Sequence, residues 1–426
     1  MPAGRARLPL SRGARPEPRP PSVDWLTAEN DHRVMTREAI FEASVGYFLS
    51  PIARLLDDDS VTEIMVNRFD QVYIERAGQL HETAARFETE DALLSAVHNI
   101  AQWVGREINQ EHPILDARLP DGSRVHAIIP PGCRAGTCLT IRKFKLGGLS
   151  LEDLIQFGSL NEEAREFLEI CVRLRKNIIV SGGTGTGKTS LLGAVSQAVP
   201  EEERIIVIED TSELKLRQKH CIYLEVQRPD QYGRGELTIR QLFVASLRMR
   251  PDRIIVGEVR GGEALDMLQA MLSGHSGSLT TVHANAARDA VVRLETLSMM
   301  SDVEIPVHVA RAQVASAIDL IVQLDRYSED GSRKISRITE VVGLDERGQY
   351  DVRDVFECHL TGKTKNGRLL AHLAFTGQPP TFAAEPHQHG MGERIKYSGE
   401  VWRSPAPRTS SPQNTSPQNT SPGEMA

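Results

Sequence analysis

Lys188 and Thr189, closing the run Gly182-Gly183-Thr184-Gly185-Thr186-Gly187, are the residues of this chain best suited to hold a polyphosphate. The glycines let the backbone turn tightly and aim successive N–H groups at phosphate oxygens, and the helix that follows turns its positive end to the same anion. At this spacing the Lys188 ammonium reaches the β- and γ-phosphates and the Thr189 hydroxyl is placed for Mg²⁺, with Ser190 completing the nucleotide-facing set. Such a loop works only between a strand and a helix. Ile178-Ile179-Val180 before it and Leu191-Leu192-Gly193-Ala194-Val195 after it supply both patterns, so the chain is expected to bind ATP.

Carboxylates stand at the ends of two further apolar runs. Glu209, Asp210 and Glu213 follow 204–208, and Glu258 follows 253–256. Ligands bind at the carboxyl ends of strands in an open parallel sheet, so these acids are expected to converge near the metal and the attacking water, where a carboxylate orients or deprotonates that water. The position before Glu258, where an aspartate for magnesium is the general plan, is Gly257. The metal is therefore expected on Thr189, phosphate oxygens and waters, with Glu258 or Glu209 acting through water. The stretch GHSGSLTTVHAN adds His275 and His283 as candidates.

The elements that must position these residues fall into an ordered series. Residues 1–22 alternate proline and arginine without apolar periodicity and are expected to be disordered. Residues 23–146 read as a smaller α+β domain: a helical stretch over 38–57, alternating strands at 61–66 and 71–75, a helix over 90–104, and strands between 118 and 141 turning at Pro120-Asp121-Gly122. Residues 147–150, opening on Gly147-Gly148, read as a hinge, with Ser150 capping the next helix over Asp153. Residues 151–385 alternate helices with short β-rich runs at 178–180, 204–208, 253–256 and 278–282, the pattern of an α/β, RecA-like P-loop core with a parallel sheet, carrying a strand-rich appendage at 341–382. Residues 386–426, with the repeat SPQNTSPQNTSP, are expected to be largely disordered.

Composition narrows the classes. A net charge of -7 argues against a chain built to coat nucleic acid, and no apolar run reaches the length of a membrane span. The five cysteines lack zinc-type spacing and read as reduced thiols.

Taken in order, GGTGTGKTS, IEDTSEL, LRMRPDRIIVGEVRG and GHSGSLTTVHAN resemble the Walker A, aspartate, Walker B and histidine boxes of the type II/IV secretion ATPases. VTEIMVN, DARLPDGSRVHAIIPP, LTIRKF, DVFECHL and AFTGQPPTF resemble the CpaF type, also called TadA, so that the likeness runs from about residue 51 to 382. The resemblance implies a homo-hexameric, ATP-hydrolysing motor, cytoplasmic and peripheral at the inner face of the membrane. It implies inner-membrane platform proteins as partners, peripheral membrane contact through them, and no direct nucleic acid. It further implies that Lys188 and Thr189 bind ATP and Mg²⁺, that Glu258 polarises water, that His275 senses the γ-phosphate, and that Arg118, Arg124 and Arg142 of the N-terminal domain reach the phosphates when the domains close. A conjugation-type secretion ATPase would use the same chemistry. A RecA-like DNA translocase would be expected to interleave basic loops with aromatics, of which this chain has only 5%. A non-hydrolysing scaffold would not need Glu258.

Overall fold

In the computed structural model, residues 37–76, 78–143, 148–229 and 233–403 are described. The expected tail at 1–22, Gly147 of the expected hinge and residues 404–426 lie outside them. No helix among the described residues is long and apolar enough to cross a membrane.

The N-terminal part is one antiparallel sheet, in the order β3-β2-β1-β6-β5-β4, built from β1 (Val61–Arg68), β2 (Gln71–Arg76), β3 (Gln79–Glu82), β4 (Ile114–Arg118), β5 (Arg124–Ile128) and β6 (Cys138–Arg142). Its alternating apolar positions, among them Val61, Ile64 and Val66, pack against the helix Glu90–Trp103. The expected helix over 38–57 is broken: Arg37–Phe48 and Ala53–Asp57 are separate, with Pro51 in the short turn between them. Proline has no N–H to give the preceding turn, so one continuous helix is excluded.

The second sheet has the order β15-β14-β13-β12-β7-β11-β10-β8-β9. Its strands are β7 (Ile178–Gly182), β8 (Ile205–Glu209), β9 (Cys221–Glu225), β10 (Arg253–Val256), β11 (Leu279–Val282), β12 (Leu320–Arg326), β13 (Arg333–Leu344), β14 (Tyr350–Lys363) and β15 (Leu369–Phe375). β7 to β12 run parallel, whereas β13, β14 and β15 are antiparallel additions. The sheet is therefore mixed, and the appendage continues the core sheet as a meander, because short hairpin connections reverse the chain while the parallel strands need crossovers. Ile178 and Val180 join one apolar layer and Ile179 the other, which is why these strands read as unbroken apolar runs.

The expectation of a loose tail after residue 385 fails for 386–403. The Glu166 carboxylate accepts backbone N–H bonds from Lys396 at 2.9 Å, Tyr397 at 3.0 Å and Ser398 at 2.9 Å. Trp402, buried, stacks on Phe167 with ring centroids 5.0 Å apart. Too few apolar residues mark this stretch in the sequence; its partners lie more than two hundred positions away.

Candidate active site

The phosphate loop begins where β7 ends. A Cβ on Gly182 would fall 2.7 Å from the Leu324 carbonyl of the neighbouring strand, so only glycine fits there. Gly185 and Gly187 take left-handed φ of 71° and 94°, which other residues rarely adopt. The helix Lys188–Ser196 starts directly behind Gly187, and no side chain caps it. Its first N–H groups are thus left for an anion. Lys188, only 8% exposed, donates to the Gly183 carbonyl at 3.0 Å.

Three elements bring side chains to this loop. β11 ends at Val282, opposite Ser181 of β7, and the next residue, His283, lies 3.3 Å (Nε2) and 3.4 Å (Nδ1) from the Lys188 ammonium. β10 ends at Val256, and the Oε1 of Glu258 sits 2.9 Å from His283 Nε2. Desolvation, then the Lys188 charge, lowers the His283 pKa from its ordinary value against the opposing pull of Glu258. A neutral ring can donate from Nε2 to Glu258 and leave Nδ1 to accept from Lys188, whose ammonium lies near both ring nitrogens. Desolvation also lowers Lys188, with Glu258 holding it charged. Oε2 of Glu258 is engaged by Arg260 at 2.6 Å, whose other terminal nitrogen is 3.4 Å from Asp210. Ammonium, imidazole and carboxylate thus adjoin at the carboxyl edge of the sheet.

His275 is not brought to this edge. β11 lies between the two histidines, and His275 precedes its amino end, where Gly277 and Ser278 donate to Asn177 ahead of β7. Four strand residues separate the two edges by about 13 Å. Of the two candidate histidines, the structure brings His283 and not His275 to Lys188 and Glu258.

Glu209 is also turned elsewhere. Its Oε1 accepts the backbone N–H groups of Glu213 at 2.9 Å and Leu214 at 3.0 Å, fastening the loop after β8. Gly257 has a reason here, since a Cβ on it would meet Glu209 Cγ at 2.9 Å. Burial raises the Glu209 pKa from 4.5 to about 7, against the two N–H bonds that lower it. Because the folded value is the higher one, the unfolded chain releases this proton first, and stability falls as pH rises from about 4.5 to 7. Glu209→Gln should remove that slope, worth about 3 kcal/mol across the window. Denaturant melts at pH 5 and pH 7.5 check it; an unchanged slope in the variant would show that other groups carry it.

The arginines of the N-terminal sheet form one cross-strand row: Arg118 stands opposite Arg124, and Arg124 opposite Arg142. Arg118 grips Glu225 at 2.8 Å and the Ser212 carbonyl at 3.4 Å, while Arg124 holds Glu213 at 2.7 Å and the Thr211 hydroxyl. Both therefore clasp the loop after β8 in this structure, with Glu213 paired to Arg124. Arg142, at the end of β6, acts electrostatically on Arg333. Arg260, Arg326 and Arg333 are site neighbours that sequence reasoning did not single out. Arg260 could have been found two residues past Glu258 in GEVRG; the other two had no signal except a polar hairpin after an apolar strand.

A model of the type II/IV secretion system protein family matches residues 48–378. The chain is 35% identical over 290 residues to a putative conjugal transfer protein of Mycobacterium tuberculosis, covering 67% of this chain and 82% of that protein. It is 35% identical over 317 residues to the type IV secretion system protein PtlH of Bordetella pertussis, covering 69% of this chain and 94% of that one. The solved pilus retraction motor PilT with bound ADP aligns at a TM-score of 0.50 and 18% identity over 70% of this chain and 83% of that one, a likeness of fold.

Proposed function

The chain belongs to the type II/IV secretion system protein family and is an ATP-hydrolysing secretion motor, and we propose that six copies form its working ring. The observation that carries the catalytic reading is that His283 bridges Lys188, at 3.3 Å, and Glu258, at 2.9 Å, beside an uncapped helix end. Lys188 binds the β- and γ-phosphates. Glu258 orients and deprotonates the attacking water once its carboxylate is released from Arg260, and neutral His283 holds Glu258 toward the phosphate loop. Magnesium fits the donors present, with the Thr189 hydroxyl for direct contact and Glu258 for contact through water. Glu209 does not fit that role, because its Oε1 is committed to two backbone N–H groups. When bound, the ion would neutralise charge on the phosphates.

Arg118 and Arg124 couple the N-terminal sheet to the loop that Glu209 fastens. Domain movement thereby reaches that loop through the Arg124–Glu213 pair and the end of β9 through the Arg118–Glu225 pair. Such a motor works on membrane partners from the cytoplasmic face as a peripheral protein. The N-terminal motifs favour a tight-adherence pilus machine of the CpaF type; the conjugal transfer and type IV secretion names of the two relatives favour a conjugation-type machine. Deleting the gene separates them: loss of surface fibres sustains the first, and loss of transfer with fibres intact sustains the second.

The ring is tested by running sedimentation and phosphate-release assays across one protein dilution series. Specific activity should rise as monomers give way to hexamers. A monomer with full specific activity and no change on assembly would defeat the ring motor while leaving the ATP site intact.

A further inference from the structure

We propose that Arg326 and Arg333 form a second phosphate clamp, supplied by the β12–β13 hairpin of the same domain, which grips the nucleotide opposite Lys188 and ties it to the N-terminal sheet. The proposal rests on the ATP site described above. It goes beyond that site by adding two cations from an element outside the four motif boxes.

β12 is the strand beside β7, and its Leu324 pairs with Gly182 at the mouth of the phosphate loop. Two residues on, Arg326 projects to the loop: a Cβ at Gly185 would lie 3.4 Å from its Nη1, and one at Gly187 would lie 3.6 Å from Arg333 Cδ. The two arginines stand directly opposite each other across the hairpin. Like charges in that position are destabilising. Neither forms an ion pair with a carboxylate among the described residues. Partial desolvation of its head group, then the charges of Arg326 and Arg142, pull the Arg333 pKa down, and Glu75 is the charge opposing them. An anion between the guanidinium groups would relieve this repulsion, and the polyphosphate of the substrate is the anion that the adjacent loop is built to hold.

Arg326 has a second contact that gives the clamp a mechanical meaning. Its Nη2 donates at 2.8 Å to the Gly78 carbonyl, in the left-handed turn joining β2 to β3 of the N-terminal sheet. One guanidinium thus bonds the Gly78 turn of one domain and lies beside Gly185 of the other. When phosphate draws Nη1, the planar group carries the Gly78 turn with it, so that occupancy of the loop is reported to the N-terminal sheet at the edge opposite the Arg118 and Arg124 clasp.

The test uses the full chain, with ATP affinity read by titration of a fluorescent ATP analogue and Tm read with and without ATP. Arg326→Gln and Arg333→Gln should each weaken the nucleotide about tenfold or more, as a lost charged hydrogen bond does, and shrink the ATP-induced rise in Tm. Without ATP the Tm of Arg333→Gln should equal or exceed that of the wild type, because a repulsive pair has been removed, whereas a purely structural role would lower it; Arg326→Gln also loses its bond to the Gly78 carbonyl, so for it the ATP-induced rise is the readout. Arg333→Lys, which keeps the charge, should retain most of the affinity. Lys188→Ala is the control for the loop itself. If wild type binds, Lys188→Ala does not, and both glutamine variants bind as wild type, the clamp is overturned and the ATP site stands. A ligand-free Tm of Arg333→Gln that drops while its ATP-induced rise persists overturns it as well. A wild type with no affinity for ATP would overturn the ATP site and the clamp together.

Discussion

Lys188→Ala is expected to abolish ATP hydrolysis and to weaken ATP binding by about a hundredfold or more, because a charged donor in a largely desolvated setting is lost from the β- and γ-phosphates. The side chain is only 8% exposed, and its tether to the Gly183 carbonyl at 3.0 Å aims it along the loop. Alanine cannot reach, and water cannot replace a positioned ammonium in so closed a place. The fold should survive, since alanine suits the helix Lys188–Ser196 well and the lost bond to Gly183 is a single one. Circular dichroism and a thermal melt verify that, and phosphate release with nucleotide titration reads the effect. Wild-type turnover in a folded variant would remove the phosphate-loop assignment.

Glu258→Gln separates binding from chemistry. The amide keeps the size of the carboxylate, but its single accepting oxygen can meet His283 or Arg260 and not both, and it cannot accept a proton from water. Turnover should fall by about 10² to 10⁴, the scale of a positioned general base, while ATP affinity stays near that of wild type. The loss should appear in kcat and, to the same extent, in kcat/KM, as for an interaction made only in the transition state. Affinity falling in step with rate would instead assign Glu258 to holding the nucleotide or the fold. Arg260 sharpens the expectation: with its partner uncharged, the 2.6 Å contact to Oε2 loses its ionic component, and Arg260 should turn to Asp210, already 3.4 Å away.

What the sequence by itself determined is the local part of the site. A phosphate loop is one continuous stretch of backbone, so the glycine spacing, the apolar run before it and the helix after it specify Gly182 to Ser190 without reference to anything distant. The same holds for the Ser150 cap, which is closed within three residues by Asp153, and for the acids at strand ends, since an apolar strand in a parallel sheet must deliver its next residue to the ligand edge. The choice between the two histidines was not made from sequence: the strand Leu279–Val282 lies between them, and its pairing with β7 puts only His283 on the edge where β7 opens into the loop.

Tertiary structure decided the rest, because it depends on which strands become neighbours and in what register. Nothing in IEDTSEL shows that Glu209 folds back onto the N–H groups of Glu213 and Leu214, or that Gly257 is small to leave it room. Nothing in the separate segments shows that Arg118, Arg124 and Arg142 make one row, a matter of antiparallel register in which a slip of one residue would turn each side chain to the other face. Arg326 and Arg333 reach the phosphate loop only because β12 is laid beside β7 and then reversed by a hairpin. Trp402 is buried only because Phe167 and Glu166 await it from far along the chain. Local geometry is set by a few neighbouring dihedrals and side chains, whereas these contacts are chosen by the burial of two apolar layers that no single segment carries.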